Sequence, residues 1–276
     1  MASSMASTRA FRKVGVLGLG LMGTGIAQVT AAAGITVVGF DASAAQAAKA
    51  AESIKRSLTA LAAKAVKKGA MEPAAADAHV ASSLSRLSTS GDRGALGDCD
   101  LVIEAAPEDW AFKAKLYREL RAQLRGDAAL ASNTSGLLIG DLAREFGDPT
   151  RVIGMHYFNP VPLMALCEVV STPQTLRVHV DAATALVKAQ GKTAVQCKDS
   201  AGFVVNRLLV PFLAQAIRLH SEGVASTADI DTAMRLGCGH PMGPLHLADY
   251  VGLDTTLFIL RNWTQKYPGE AAFLCV

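Results

Sequence analysis

Short apolar runs alternate with longer amphipathic segments over residues 13–199. The apolar runs predict buried strands, and the segments between them, with one apolar face per helical turn, predict helices. This alternation is typical of an α/β fold with a mostly parallel, doubly wound sheet, which binds ligands at the carboxyl ends of its strands. The predicted strands are residues 14–17, 35–40, 100–106, 128–133 and 152–156, and the predicted helices are residues 44–68 and 109–124.

The first long helix, residues 44–68, is rich in alanine, and Gly69 and Pro73 predict its end. A shorter polar stretch then leads to residues 84–87. Lysines occupy positions 64, 67 and 68. Such a cluster is typical of a solvated helix end, and a site for a phosphorylated substrate is the alternative interpretation.

The periodicity changes near Ser200, and no strand is predicted after Val195. Residues 203–222 predict one long helix, capped by Asp199 or Ser200 and bent at Pro211. The chain therefore leaves the sheet at this point.

Three more helices are predicted beyond the long one. Ser226, followed three residues later by Asp229, begins a helix over residues 227–236 in the manner of a capping box. Two further helical stretches extend to about Lys266. We therefore predict a sheet domain over residues 13–199 and a helical domain over residues 200–276.

A glycine motif of the form G-x-G-x-x-G directly follows the first apolar run, with glycines at 18, 20 and 23. Gly18 makes the tight turn, Gly20 lets the backbone approach a pyrophosphate, and Gly23 lets helix and strand pack closely. Leu21 and Met22 begin the helix, whose N-terminal N–H groups and dipole attract phosphates. The motif predicts a dinucleotide site. Seven glycines in the uncharged stretch 14–40 argue against a membrane span there.

Asp41 ends the second predicted strand. A carboxylate at this place can accept hydrogen bonds from both hydroxyls of an adenosine ribose. Ala42 and Ser43 follow it, so no arginine stands there to pair with a 2′-phosphate. The sequence therefore predicts NAD rather than NADP as the cofactor.

His156 ends a predicted strand at the ligand-binding edge of the sheet, and residues 159–162 turn the chain back into the apolar run 166–170. A hairpin of this length can bring Glu168 beside His156. The carboxylate would orient the imidazole and stabilise its charged form, which leaves the other ring nitrogen free to take a proton. The alternative is a purely structural ion pair.

Other polar residues lie near the same predicted edge. Residues 132–135, of sequence SNTS, close the preceding strand and offer hydroxyl and amide groups to a substrate oxygen, although a helix cap would use the same residues. Asn206, in the first turn of the long helix, is a second candidate, with a cap or a domain contact as its alternative. Glu104 and Glu108 lie where a nicotinamide should reach, unless they are ordinary first-turn acids.

Composition limits the classes of function. The net charge of +3 is mild and forms no basic block, which argues against nucleic-acid binding. The five cysteines are scattered without metal-ligand or C-x-x-C spacing, so we predict no metal site and a reducing compartment. Residues 1–12 carry serines and cations without an acid, a pattern typical of a short organellar presequence and equally of a disordered tail.

Several segments together resemble one enzyme family. They are GLGLMGTGIAQ, ASNTS, GMHYFNPVPLM, LCEVV, KDSAGFVVNRLLVP and DIDTAMRLGCGHPMGPLHLADYVGLDT. They resemble the L-3-hydroxyacyl-CoA dehydrogenases, NAD enzymes of fatty acid β-oxidation and its reverse, over residues 13–261. The resemblance implies a Rossmann domain, a helical dimerisation domain, an acyl-CoA substrate and a homodimer.

The resemblance also implies roles for individual residues. His156 would be the catalytic base with Glu168 as its partner, and Ser135 and Asn206 would contact the substrate's 3-oxygen and the histidine. The cofactor would be held by Glu108, Lys113 and Asn133 besides the glycine motif and Asp41, and the CoA portion by Ser57 and Lys64.

Residues 270–276 depart from the family pattern, which usually continues into a basic segment ending in an aromatic pair. We therefore expect a shortened helical domain and a weak dimer that leaves part of the set Phe258, Ile259, Leu260 and Trp263 exposed. Two rival functions stay open: a related dehydrogenase acting on a free sugar acid, and an NADH-binding relative without turnover. The resemblance and the cysteines are compatible with the cytoplasm and with the mitochondrial matrix.

Overall fold

The computed structural model of the protein describes residues 10–270 and Phe273. Residues 1–9 of the predicted tail or presequence, and all of the predicted departure at 270–276 except Glu270 and Phe273, lie outside the described residues. The described elements are β1 (Lys13–Leu17), α1 (Leu21–Ala32), β2 (Thr36–Phe40), α2 (Ala44–Lys67), α3 (Pro73–Ser85), β3 (Leu87–Ser90), β4 (Leu101–Glu104), α4 (Trp110–Gln123), β5 (Ala129–Ser132), α5 (Ile139–Phe146), β6 (Val152–Tyr157), β7 (Leu166–Ser171), α6 (Arg177–Ala189), β8 (Thr193–Lys198), α7 (Val205–Ser221), α8 (Thr227–Cys238), α9 (Pro244–Val251) and α10 (Leu253–Lys266).

The chain divides into two compact units, residues 1–199 and residues 200–276. The first unit holds one sheet with the strand order β3-β2-β1-β4-β5-β6-β7-β8. All neighbouring strands are parallel except β6 and β7, which form an antiparallel pair. The predicted doubly wound sheet is thus confirmed. The strand order reverses between β1 and β4, which is where such sheets bind their ligands.

The core of the first unit lies on both faces of the central strands. Val16 and Ile103 on one face and Val102 and Leu130 on the other are completely buried, and α2 packs its alanine-rich face on the sheet through Ala50 and Ile54. Strands that are buried on both faces appear in the sequence as continuous apolar runs, which is why the central strands could be predicted.

Two edge strands were missed by the sequence pattern, because edge strands bury little and carry no apolar run. Leu87–Ser90 forms β3 beside β2, and Thr193–Lys198 forms β8 beside β7. The polar stretch before β3 is the helix α3, which begins at Pro73. Proline is favoured at a first helical position, so Pro73 begins a helix as well as ending the preceding one.

Asp199 caps α5, a helix that the sequence pattern did not predict. Its carboxylate oxygens accept hydrogen bonds from the backbone N–H groups of Ile139 and Gly140, at 2.9 and 2.8 Å. The long helix α7 begins at Val205, after Val204 at the N-cap and Phe203 with a positive φ of 51°. The start of α5, 60 residues earlier in the chain, is thus fixed by Asp199.

The second unit is helical throughout its described residues, from α7 to α10. Pro211 lies inside α7, as predicted. Ser226 caps α8 by accepting a hydrogen bond from the N–H of Asp229 at 3.1 Å, which confirms the predicted cap. A small core forms around Trp263, which packs against Phe273 with ring centroids 4.7 Å apart.

Exposed apolar side chains are frequent on the second unit. Phe258 is 62% exposed, whereas Leu260 and Trp263 of the same helix are buried within the unit. Large exposed apolar side chains also occur on the other helices, at Leu208, Leu236 and Tyr250. Among the described residues, no helix is long and apolar enough to cross a membrane.

Candidate active site

The glycine motif forms the turn between β1 and α1. Gly18 has a φ of +90°, and a Cβ there would lie 2.7 Å from the carbonyl oxygen of Ala105. A Cβ on Gly23 would lie 1.7 Å from the carbonyl oxygen of Gly18, so no side chain fits at this contact. At Gly20 a Cβ would meet nothing within 4 Å. The outer side of the turn is therefore open to a ligand, while the inner side is closed by backbone.

The start of α1 suits the phosphates of a dinucleotide. Gly20 is its N-cap, and no side chain caps the helix. The N–H groups of the first turn are therefore available to an anion, and the helix dipole adds to the attraction. Leu21 is 74% exposed at this end, whereas Met22 packs on the core.

Asp41 follows β2 directly and helps to hold the turn. Its Oδ2 accepts a hydrogen bond from the N–H of Leu19 at 2.9 Å, and its Oδ1 accepts one from the N–H of Ser43 at 2.9 Å. Each carboxylate oxygen can accept further bonds, so the carboxylate can also meet a ribose diol.

The antiparallel hairpin of β6 and β7 places His156 opposite Glu168. His156 Nδ1 lies 2.7 Å from Glu168 Oε2, and the two side chains are 3% and 0% exposed. On the other side of the ring, Nε2 lies 3.0 Å from the hydroxyl oxygen of Ser135. Ser135, His156 and Glu168 thus form one hydrogen-bonded chain, and the residues come from the loop after β5, from β6 and from β7.

A buried ion-pair network lies at the end of β4. The Lys113 ammonium is 1% exposed and lies 3.1 Å from Oε1 of Glu104 and 2.7 Å from Oε2 of Glu108. Glu104 is completely buried and also accepts a hydrogen bond from the Ser132 hydroxyl at 2.7 Å. The alternative of an ordinary first-turn acid is wrong for Glu104, which ends a strand, while Asp109 caps α4.

Glu108 fixes the loop that carries Ser135. Its Oε1 accepts hydrogen bonds from the Thr134 hydroxyl, from the N–H of Ser135 at 3.1 Å and from the N–H of Gly136 at 3.0 Å. Burial alone would raise the pKa of Glu108, but the Lys113 charge and these hydrogen bonds outweigh it and lower the pKa below its usual value. Glu108 is therefore ionised at neutral pH.

Asn133, between β5 and this loop, uses only part of its amide within the protein. Its Oδ1 accepts a hydrogen bond from the N–H of Tyr157 at 2.9 Å. Its Nδ2 donates to nothing within the described residues, although the side chain is 9% exposed. The amide can therefore donate to a cofactor or substrate oxygen at the carboxyl ends of β5 and β6.

The loop that joins β6 to β7 is held from inside by Lys192. This buried ammonium donates to the carbonyl oxygens of Val161, at 2.5 Å, and Met164, at 2.6 Å. Burial lowers the pKa of Lys192. From the other side, Gly25 of α1 lies so close to the loop that an added Cβ would be 2.8 Å from Cβ of Val161.

A cavity of about 520 Å³ lies between this loop, α1 and α2. It reaches from Gly20 at the dinucleotide turn to Ser57 on α2, and Pro160 and Leu163 form its wall on the loop side. Lys64 is exposed on α2, seven residues after Ser57, and so lies on the same helix face. The cavity can hold an elongated ligand that enters beside the cofactor turn.

The structure brings most of the predicted site residues together in the first unit. Asn206 lies in the first turn of α7, in the second unit. Sequence reasoning included Thr134 in the SNTS segment but missed Lys192. Lys192 stands next to a glycine before a polar strand and carries no local signal of burial.

Two family models match the chain. The model for the NAD binding domain of 3-hydroxyacyl-CoA dehydrogenase matches residues 13–200, and the model for the C-terminal domain matches residues 202–275.

Individual relatives match along nearly the whole chain. The mitochondrial hydroxyacyl-coenzyme A dehydrogenase of Rattus norvegicus is 47% identical over 95% of this chain and 83% of its own. The 3-hydroxybutyryl-CoA dehydrogenase of Mycobacterium tuberculosis (strain CDC 1551 / Oshkosh) is 43% identical over 94% of this chain and 88% of its own. Among solved structures, the (S)-3-hydroxybutyryl-CoA dehydrogenase of Ralstonia eutropha superposes with a TM-score of 0.88 at 39% identity, over 96% of this chain and 90% of that one.

Proposed function

Because the chain belongs to the 3-hydroxyacyl-CoA dehydrogenase family, we propose that it catalyses the reversible, NAD-dependent oxidation of (S)-3-hydroxyacyl-CoA to 3-oxoacyl-CoA. The observation that carries this function is the hydrogen-bonded chain of Ser135, His156 and Glu168 at the same sheet edge as the dinucleotide turn. NAD, when bound, supplies the acceptor for the hydride that leaves C3.

His156 moves the proton of this reaction. As C3 loses hydride, the 3-hydroxyl must lose its proton, and Nε2 of His156 is the ring nitrogen turned away from Glu168. The Glu168 carboxylate accepts from Nδ1–H and stabilises the imidazolium that forms. In the reverse direction the imidazolium returns the proton to the 3-oxygen.

Ser135 contacts the 3-oxygen in this proposal. The Ser135 hydroxyl lies 3.0 Å from Nε2 of His156, so an oxygen bound beside the pair can reach both groups. Hydrogen-bond donors aimed at this oxygen stabilise the partial charge that develops on it.

In this proposal the cofactor binds along the open glycine turn between β1 and α1. Gly20, Leu21, Met22 and Gly23 present backbone N–H groups to the pyrophosphate, and Asp41 binds the ribose diol. Gly18 makes the turn, and its own N–H donates to the carbonyl oxygen of Phe40 at 2.8 Å. Asn133 donates its free amide to the nicotinamide half. Glu108 and Lys113 serve the cofactor site through the loop that they fix, since their charged atoms pair with each other.

The CoA portion occupies the cavity between α1, α2 and the loop after β6. Ser57 lines this cavity, and the exposed Lys64 on the same helix face supplies a cation for a phosphate.

A substrate comparison tests the function. NADH oxidation is measured with acetoacetyl-CoA and with free 3-oxo acids of the same chain length. Turnover of the thioester alone supports the proposal. Turnover of free acids instead would favour the related dehydrogenase on free acids, and NADH binding without any oxidation would favour a relative that lost catalysis.

The second unit supports a homodimer. Exposed apolar side chains of this frequency mark an interface or an aggregation-prone surface, and a second copy would cover Leu208, Leu236 and Phe258. The cysteines at 99, 167, 197 and 238 are free thiols, which supports a reducing compartment such as the cytoplasm or the mitochondrial matrix.

A further inference from the structure

Gln28 is a buried residue whose amide forms no hydrogen bond with the described part of the chain. It lies on α1 and is 3% exposed, yet its side chain forms no hydrogen bond within residues 10–270 and Phe273. Other glutamines nearby are satisfied: Gln46 donates to the carbonyl oxygen of Leu19 at 2.6 Å, and Gln190 donates to the hydroxyl of Thr30 at 2.8 Å. The residue as a whole is buried, but its amide atoms are open to the cavities that it lines, so a ligand there can reach them.

Gln28 lies where two cavities meet. It lines the cavity of about 520 Å³ beside the dinucleotide turn and also a second cavity of about 390 Å³, and the two share Leu61 and Pro162. Along α1, the first cavity extends from Gly20 to Gln28 and the second from Gln28 to Ala33. Together the two cavities form one groove about 18 Å long, as estimated from the length of α1. Gln28 lies between its two parts.

The residues around Gln28 indicate which kind of ligand group its amide can bind. Around it the second cavity is lined mainly by alanine, valine, leucine and methionine side chains. A primary amide offers one acceptor and two donors without charge. Its natural complement is another amide, with a carbonyl oxygen and an N–H, rather than a phosphate or a carboxylate, which would favour a cation.

The thioester substrate carries such groups. Between its sulfur and its nucleotide, CoA has a linker arm with two secondary amides, and the proposed function places this arm in the cavity that Gln28 and Ser57 both line. We propose that the Gln28 side chain binds an amide of this arm and so selects CoA-type thioesters. This inference rests on the proposed function and adds a specificity-determining residue to it.

The experiment compares thioesters with and without the amides. Wild type and Gln28→Met are assayed with acetoacetyl-CoA, acetoacetyl-pantetheine and acetoacetyl ethyl thioester. Met keeps the length of the side chain but cannot form the hydrogen bonds. We expect KM to rise about three- to tenfold for the two amide-bearing substrates, the usual value of one such bond. For both, kcat should be retained, and no change is expected with the ethyl thioester.

Controls separate binding from folding. Gln123→Met, on the exposed end of α4, should leave all three substrates unchanged. Gln28→Asn keeps an amide but shortens its reach, and should behave like Gln28→Met. NADH affinity and thermal unfolding should not worsen in either variant, because each perturbs an amide without a partner in the protein.

Three results would overturn the inference: equal loss with all three thioesters, no loss with any of them, or variants that fail to fold, which would mean that Gln28 has a structural partner. Failure of the proposed function is seen separately, as wild-type protein that oxidises NADH with none of the thioesters.

Discussion

His156 Nδ1 lies 2.7 Å from Glu168 Oε2, and the strand register places the two residues directly opposite each other. Both side chains are almost completely buried, so the carboxylate acts on the ring with little competition from water. This arrangement fixes which ring nitrogen is left for proton transfer, namely Nε2 beside the Ser135 hydroxyl.

Glu168→Gln should therefore lower kcat on the order of 10²-fold, the lower part of the range for general acid–base catalysis. The neutral amide of the variant cannot stabilise the His156 imidazolium. The dinucleotide turn is unchanged, so NADH binding should be retained. The measurement is NADH oxidation with acetoacetyl-CoA over a range of pH, together with NADH binding by fluorescence. Glu222→Gln, an exposed glutamate on the second unit, is the matched control. Wild-type turnover at every pH would show that Glu168 is structural.

Glu108→Gln should lower kcat as well, because the variant loses the charge that holds the Thr134, Ser135 and Gly136 loop. The pKa of Glu108 is lowered in the folded protein. Its contribution to stability is therefore full above its usual pKa of about 4.3 and is lost as pH falls through the lowered value.

The readout is the difference in melting temperature between wild type and Glu108→Gln. It should be present at neutral pH and shrink in acid. Glu119→Gln, on α4, which follows Glu108 in the chain, and partly exposed, is the control. A difference that persists unchanged in acid, or full activity of the variant, would contradict the role given to Glu108.

Local patterns were enough to place the dyad and the dinucleotide turn. An apolar run, a proline-rich turn and a second apolar run define the β6–β7 hairpin, and its register follows from the length of the turn. The glycine motif is likewise a local signal, since Gly18 and Gly23 lie against backbone atoms of the next strand's end and of the same turn, and Gly20 leaves the outer side of the turn open.

Side-chain pairings between residues distant in the chain could not be predicted from the sequence. Lys113 looks like a surface lysine of a helix, and nothing near it shows that Glu104, at the end of a strand, is completely buried beside it. Asp199 stands next to one helix in sequence and caps another. Such contacts depend on how strands and helices pack, which periodicity does not report.

Asp41→Asn should weaken NADH binding more than NADPH binding. The amide has one oxygen where the carboxylate has two, so it can accept from the ribose diol or from the turn but not fully from both. Fluorescence titration of both cofactors measures the effect, with Asp92→Asn in the first unit as the control variant. An equal loss for both cofactors would mean that Asp41 only supports the turn.

Lys192→Met should raise the KM for acetoacetyl-CoA, because the loop of Val161 and Met164 loses both hydrogen bonds that hold it against the cavity. The free energy of unfolding should fall by about 1–3 kcal/mol, the cost of leaving buried carbonyl groups unpaired. The same substitution at the exposed Lys188 is the control. A loss of stability with an unchanged KM would show that the way Lys192 holds the loop does not contribute to substrate binding.

The proposed homodimer should form through the second unit. Burying an exposed aromatic or aliphatic side chain such as Phe258 or Leu236 contributes roughly 1.5–3 kcal/mol, so Phe258→Asp and Leu236→Asp should each shift the protein towards monomer. Val178→Asp places the same charge on an exposed apolar position of the first unit and should leave the assembly unchanged. Sedimentation velocity over a dilution series, with specific activity measured at each concentration, decides the matter. A monomer at every concentration with full activity would contradict the dimer, whereas a dimer that dissociates on dilution with falling activity would show that catalysis depends on the assembly.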